Sequence, residues 1–401
     1  MVVSRRAVIS SGAYFEGTSG VAFGRSVIAH QGPPLVEQIS TRDALEEFAR
    51  LPYQIYAGRD AWWPPDVQNE VDFLMRRTPS AAYLDIGGFC ARRGDRMIAR
   101  VSAVVNNRYN AHWNERLGHL IHFEALDDED DAAVAMLDAA TEWLRARGMT
   151  AVRSGFAAFL DYPYVIDNYG RLPSFLLRGN PAYYHRYFKD AGFETEKGQL
   201  DYTAPLSSEN LARYRGILEA IRRERVTIQS WRQYGFLAAI DGWTDVTNAA
   251  FARHWGWNPV TRAEARPMLM SLGDTAVADL SMIAATDGEV VGAVFSVPDW
   301  STMLARVRRG VKLDPERGGG TRGALINIGV IESARGRGIA LAMTARSFLT
   351  MAQQGMQYAG YTLVLDDNWA SRRTAESVGA RITDNFVTYR RHLQPAKGAG
   401  K

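Results

Sequence analysis

INIGVIESARGRGIA, Ile326–Ala340, joins a strand, a glycine-rich turn and a helix start within fifteen residues. An apolar, strand-like run from Ala324 to Ile331 meets Arg335-Gly336-Arg337-Gly338-Ile339-Ala340. A helical pattern then begins at once, with Leu341, Ala345, Phe348 and Met351 on one face. Alternating glycines let the backbone bend sharply and approach a bound group, and the N–H groups of a new helix turn point at the same place. Together they form a seat for a pyrophosphate at the positive end of the helix dipole. Glycine-rich turns also arise for steric reasons alone, so the surrounding pattern decides between the two.

That pattern continues in a fixed order. Tyr361–Leu365 reads as a second strand, Asn368 as the N-cap of a second helix that ends near Gly379-Ala380, and Phe386–Arg390 as a last strand. The Arg335–Ala340 loop and the Asn368 to Ala380 segment resemble, in this order, the two signature elements of the GCN5-related N-acetyltransferases, the GNAT superfamily. The resemblance implies an α+β fold of two GNAT-like domains, each a mixed, mostly antiparallel sheet flanked by helices. It also implies acetyl-CoA or another acyl-CoA as co-substrate and transfer to a small-molecule or peptide amine.

A second domain is read from internal similarity. The strand pair Phe89–Val105 turns at Gly94 as Ser281–Pro298 turns at Asp287-Gly288, Trp62-Trp63-Pro64-Pro65 stands where Trp257-Asn258-Pro259 stands, and Asn180 to Phe193 stands where Asn368 to Ala380 stands. The glycine loop does not recur. Its place holds Asp127–Asp131, five carboxylates that repel a pyrophosphate but suit the N-terminus of the helix expected from Asp131 to Arg147. The organisation predicted is a mobile N-terminal extension over 1–34, a degenerate GNAT-like domain over 35–205, a linker helix over 206–225, an acetyl-CoA-binding GNAT domain over 226–393 and a C-terminal tail over 394–401. The whole resembles a bacterial tandem-GNAT protein.

Composition limits the partners. The chain has 401 residues, 46% hydrophobic and 23% charged, with a net charge of +3. These values suit a soluble globular protein and give no reason to expect nucleic acid. No apolar run is long enough to span a bilayer and no signal-peptide core follows Arg5 and Arg6, so neither a membrane nor an export route is expected. The single cysteine, Cys90, excludes an intrachain disulfide and a multi-cysteine metal site; it reads as a buried strand residue in a cytoplasmic protein that needs no metal. The oligomeric state is not legible.

The resemblance also distributes roles. Backbone groups of Ile328, Gly329 and Val330 would pair with the pantetheine arm, and an N–H of Val330 or Ile331 would face the thioester carbonyl. The amides of Arg335, Gly336, Arg337, Gly338, Ile339 and Ala340 would hold the pyrophosphate, with both arginine side chains adding charge. Asn368 is either a cofactor contact or a plain N-cap. Many family members carry a tyrosine in the second signature helix that protonates the leaving thiolate; here the matching position is Ala375. Tyr389 or Tyr361 is the substitute, against the ordinary role of a packed strand tyrosine. For the base, Glu332 is the carboxylate nearest the cofactor strand, with Asp366, Asp367 and His254 as further candidates. Trp255, Trp257 and Pro259 either line an acceptor site or fill a core. The basic connector from Arg306 to Arg322, with Gly318–Gly320, is a lid or a solvated loop. Two other classes stay open: an aminoacyl-tRNA-dependent peptidyltransferase, and a non-catalytic CoA-binding or sensor protein.

Overall fold

The computed structural model describes residues 32–394 except 60, 61, 63, 158, 159, 176, 273 and 309–320. Nearly all of the expected N-terminal extension, the tail beyond 394, Trp63 and Gly318–Gly320 lie outside the described residues. The first half carries strands β1 (Leu35–Ile39), β2 (Leu84–Arg93), β3 (Arg96–Asn106), β4 (Leu117–Ala125), β5 (Ala151–Ser154), β6 (Tyr164–Val165) and β7 (Glu194–Pro205). Its helices are α1 (Arg42–Ile55), α2 (Val67–Leu74), α3 (Asn107–Trp113), α4 (Asp130–Ala146) and α5 (Tyr184–Asp190). Helix α6 (Ser208–Ile221) follows, capped by Ser207 Oγ, which accepts from the Asn210 N–H. The second half holds β8 (Val226–Ser230), α7 (Trp231–Tyr234), α8 (Phe236–Phe251), α9 (Arg262–Met270), α10 (Asp274–Leu280), β9 (Met282–Thr286), β10 (Glu289–Pro298), α11 (Ser301–Arg308), β11 (Arg322–Val330), α12 (Ile339–Gln353), β12 (Tyr358–Leu365), α13 (Trp369–Ser377) and β13 (Arg381–His392).

The mixed, mostly antiparallel sheets of the two halves run into one another. The order is β1-β2-β3-β4-β5-β13-β7-β12-β11-β10-β9-β8, with β6 beside β13. The last strand of each half completes the sheet of the other: β13 lies on β5 through Tyr389↔Ser154, and β7 lies on β12 through Tyr361↔Tyr202. Strands β7 and β13 pair with each other through Phe386↔Gln199, so the exchange stitches the halves together with backbone hydrogen bonds. Leu200 and Tyr202 of β7 and Tyr214 and Ile221 of α6 are buried in the core beneath α12. Helix α6 therefore joins the halves in sequence while packing in the second, where the Tyr214 hydroxyl donates to the Val378 carbonyl at 3.0 Å.

The internal similarity is visible as two equivalent hairpins, β2–β3 turning at Gly94 (φ +56) and β9–β10 turning at Asp287 and Gly288 (φ +51 and +85). Each half also contains one parallel pair, β4 with β5 and β11 with β12, joined through α4 and α12 respectively. In the first half the opening beyond that parallel pair is filled. Tyr164 hydrogen-bonds Ser154 at 2.9 Å, Tyr184 donates to Glu124 at 2.7 Å and Arg178 pairs with Glu124 at 3.0 Å. Only about 20 Å³ of space remains there. The acidic start of α4 is neutralised, with Arg93 on Glu129 and Asp131 and Arg186 on Asp130. Among the described residues no helix is long and apolar enough to cross a membrane, and no cluster of three or more His, Cys, Asp or Glu is disposed to hold a metal ion.

Candidate active site

Strands β11 and β12 are parallel partners only from Arg322↔Tyr358 to Leu325↔Tyr361. Beyond that point they part, because β11 carries a bulge: the register with β10 passes from Phe295↔Asn327 to Ser296↔Leu325 and skips Ile326. A bulge bends its strand and increases the local twist. One result is that Ile326 and Asn327 face α8 together, Ile326 in the core there and Asn327 accepting from Trp243 Nε1 at 3.2 Å. On β12 the left-handed Leu363 (φ +53) and a register shift between Tyr361 and Val364 widen the gap. Gly329 pairs with Ala293 of β10, so by strand alternation the main-chain groups of Ile328 and Val330 face the opening. Ile331, one of the two residues expected to meet a thioester carbonyl, donates its N–H to the Val291 carbonyl at 3.0 Å instead. Of the two, Val330 is the one whose main-chain groups face the opening.

The glycine loop closes one end of the opening. Gly336 and Gly338 have φ of +82 and +76, and a Cβ at Gly336 would meet nothing within 4 Å. The backbone thus takes a left-handed course that L side chains resist, and it brings the first turn of α12 to the cavity wall. The N–H groups of Ile339, Ala340 and Leu341 have no partner one turn earlier in the helix and stand at its positive end. The two arginine side chains do not join it. Arg335 donates to the Val330 carbonyl at 3.2 Å and the Ala250 carbonyl at 3.1 Å, and Arg337 to the Glu224 carboxylate at 3.1 Å and its carbonyl at 2.6 Å. Both guanidinium groups fasten the loop, to α8 and to the turn after α6.

The opening belongs to a cavity of about 910 Å³ that passes through the sheet. On the α12 and α13 face its wall includes Gly336, Gly338, Ala340, Asn368, Ser371 and Thr374; on the α8 face it includes His254, Trp255, Trp257 and Asn258. Such a volume lies in the upper part of the range for small-molecule sites. Asn368 acts as the cap of α13, its Oδ1 accepting from the Ser371 N–H at 3.2 Å, and it also lines the cavity. Ala375 is fully buried in the α12 core. A different hydroxyl pair stands at the wall: Tyr361 Oη and Ser371 Oγ are 2.9 Å apart, and burial pushes the Tyr361 hydroxyl up to about 12, keeping its proton in place at neutral pH.

Of the two residues singled out for acid and base work, the cavity includes one. Glu332 stands at its rim, with the side chain 75% exposed and paired to Arg253 at 3.3 Å. Tyr389 is elsewhere: it stacks on Phe188 in the first-half core, and its hydroxyl lies 2.6 Å from His185 Nδ1. Its strand is the one exchanged into the other half's sheet, which carries it away from the opening. Asp367 pairs with Lys197 at 2.6 Å. His254 is better placed, because its Nδ1 lies 3.1 Å from the Trp255 carbonyl. Donation there fixes the tautomer with Nε2 as the free acceptor. Burial lowers its pKa despite a smaller opposing effect from the Asp367 charge, so the ring is neutral at pH 7.

The first half contributes walls that sequence reasoning did not assign: Phe156, Tyr162, Phe175, Leu177 and Gln199. The closest sequence signal is the aperiodic, aromatic-rich stretch from Phe156 to Tyr164, too irregular for a helix or strand. Gln199 Nε2 donates to Thr388 Oγ1 at 3.0 Å. Among the described residues its Oε1, like Asn258 Oδ1, is buried without a hydrogen-bond partner.

Residues 243–380 match the model of the Acetyltransferase (GNAT) family, and the fold is of the tandem-GNAT kind. The chain is 25% identical over 386 residues to the bacterial ceramide synthase of Caulobacter vibrioides, covering 88% of this chain and 96% of that protein. It is 20% identical over 285 residues to protein YghO of Escherichia coli, covering 70% and 72% of the two chains. The fold is that of a tandem GNAT protein from the clavulanic acid biosynthesis pathway (TM-score 0.54, 11% identity, 90% of this chain and 99% of that one). It is also that of a GCN5-related glucosamine N-acetyltransferase region in a fungal multidomain GH3 β-N-acetylglucosaminidase (TM-score 0.56, 16% identity, 91% of this chain and 38% of that one).

Proposed function

We propose that the protein is an N-acyltransferase that moves an acyl group directly from coenzyme A to the amine of a long-chain acceptor. The observation that carries this reading is the bulge-opened β11 edge, which ends in the left-handed glycines and free N–H groups at the start of α12. Ile328 and Val330 would pair with the amides of the pantetheine arm, and the N–H groups from Gly336 to Ala340 would hold the pyrophosphate. The thioester then lies in the gap of the sheet, its carbonyl oxygen toward the Val330 N–H.

The amine reaches the thioester from the α8 face, where His254 Nε2 takes a proton as nitrogen attacks carbon. The Val330 N–H stabilises the tetrahedral oxyanion, which collapses with cleavage of the carbon–sulfur bond. The Tyr361–Ser371 hydroxyl pair supplies the proton that the departing thiolate needs, in place of the tyrosine absent at Ala375. Glu332, on the rim, serves as a proton exit to solvent. A long-chain acceptor is suggested by the apolar first-half wall and by the name of the Caulobacter relative, since a ceramide is the amide of a long-chain amino alcohol. A cytoplasmic location goes with this reading.

The test is calorimetric titration with acyl-CoA, joined to an assay of free thiol release in the presence of long-chain amines. Binding together with amine-dependent thiol release supports the reading. Binding without release from any amine favours a non-catalytic CoA-binding protein, and failure of folded protein to bind refutes the donor site.

A further inference from the structure

The first half has its own opening plugged, yet four of its contacts converge on the loop between α8 and α9 and on the start of α9. Trp113 Nε1 donates to the Trp257 carbonyl at 2.8 Å, and His112 Nε2 lies 2.8 Å from the Ala252 carbonyl. Arg108 grips both carboxylate oxygens of Glu264 at 2.8 and 2.9 Å. The Phe156 ring packs against Trp255 with centroids 5.2 Å apart. It also lies over Gly256, where a Cβ would come within 2.5 Å of the ring and φ is +77. The loop bearing His254 therefore takes its position from the first half.

The same half walls the cavity on that face with Phe156, Tyr162, Phe175 and Leu177. These side chains are held in place. The Phe175 N–H donates to Asp299 Oδ1 at 3.0 Å and its ring meets Trp300 edge-on at 5.1 Å. Ser174 donates to Asp201 at 2.7 Å, and Asp201 pairs with Arg322 at 3.2 Å. Leu177 is 1% exposed and packs with Val165 and Phe386. A wall anchored at each end does not collapse onto a small acceptor, and its Phe156, Phe175 and Leu177 surface suits a hydrocarbon chain.

We propose that this wall is a subsite for an unbranched hydrocarbon chain carried by one of the two reactants, and that Phe156 and Phe175 set the length it accepts. The inference rests on the acyl-transfer reading of the same cavity. On that reading the chain is the amine's; an acyl chain of the donor has the same chemistry, and the two arms of the experiment distinguish them. Within the subsite each added methylene raises kcat/KM roughly fourfold, the factor that corresponds to about 0.8 kcal/mol, until the chain meets the rings.

The experiment uses the full chain and three variants, Phe156→Ala, Phe175→Ala and Leu177→Phe, each checked for folding by its thermal midpoint. One arm varies acyl-CoA chain length at a fixed amine; the other varies alkylamine chain length at a fixed acyl-CoA. The expected result is a length optimum in one arm that moves to longer chains in the alanine variants and to shorter chains in Leu177→Phe, with the affinity for CoA itself unchanged. The arm that responds identifies the chain's owner. An optimum that stays fixed in every folded variant, or no length dependence in either arm, overturns the proposal. Calorimetry of the same alkylamines and acyl-CoA series runs alongside. If no amine is turned over, the transfer reading fails by itself, and chain-dependent affinity that shifts in the variants still decides the subsite.

Discussion

Replacing Gly338 with aspartate tests the phosphate seat directly. At φ +76 the residue sits in the left-handed region, where a side chain costs about 1–2 kcal/mol, somewhat less for aspartate, whose short polar side chain is tolerated there. The built Cβ meets only Ile221 Cδ1 at 3.8 Å, an ordinary contact, so the variant folds. Its carboxylate enters a cradle meant for an anion. At a separation of roughly 6 Å and an effective dielectric of about 20, one carboxylate and one phosphate charge repel by about 3 kcal/mol, on the order of a hundredfold in affinity before screening. Gly338→Ala carries the backbone cost without the charge. Calorimetry with acyl-CoA at low and high salt separates the two: the aspartate variant loses on the order of a hundredfold and partly recovers with salt, while the alanine variant loses about tenfold or less at either salt. Equal affinity for wild type and a folded Gly338→Asp variant would refute the seat.

His254→Gln keeps the fold and lowers kcat by roughly 100-fold or more, as expected for loss of a general base. It also removes the acid limb of the wild-type kcat profile, which lies below about pH 6.5 because burial depresses the pKa of His254. Trp113→Phe keeps an aromatic ring but loses the donor to the Trp257 carbonyl; acceptor KM rises severalfold in steady-state kinetics while acyl-CoA affinity is unchanged. His119 is held near 3, first by burial and then by the Arg153 charge. Its folded pKa is below its unfolded value, so its stabilisation is complete above about pH 6.5 and is lost as pH falls toward 3, about 2 kcal/mol between pH 7 and pH 5. Denaturant titration of wild type and His119→Asn at those two pH values shows that difference shrinking in the variant.

Local pattern made much of the cofactor half legible. The run from Ile326 to Ala340 contains its own strand, turn and helix start, since alternating glycines and the helical spacing of Leu341, Ala345 and Phe348 depend only on neighbours in the chain. Asn368 declares its cap, and its Oδ1 does accept from Ser371. The arginines were harder to read. The resemblance implied that Arg335 and Arg337 add charge at the pyrophosphate, but the folded loop turns both side chains toward carbonyl and carboxylate partners on α8 and after α6. The base and acid depended on position in space rather than residue type: Tyr389 travels with an exchanged strand, whereas Tyr361 and Ser371 meet across β12 and α13.

Spacing along the chain carries the two related halves, one with a phosphate-type loop and one with carboxylates in its place, because each is a local matter of residue order and backbone freedom; the α+β fold came with the family resemblance. Which residues share the cavity depends on contacts between distant segments. The exchange of β7 and β13 is a choice among strand edges that present the same backbone donors and acceptors, so no local pattern encodes it. That exchange fixes the first half against the α8 face, where Phe156, Phe175 and Leu177 close the wall facing His254.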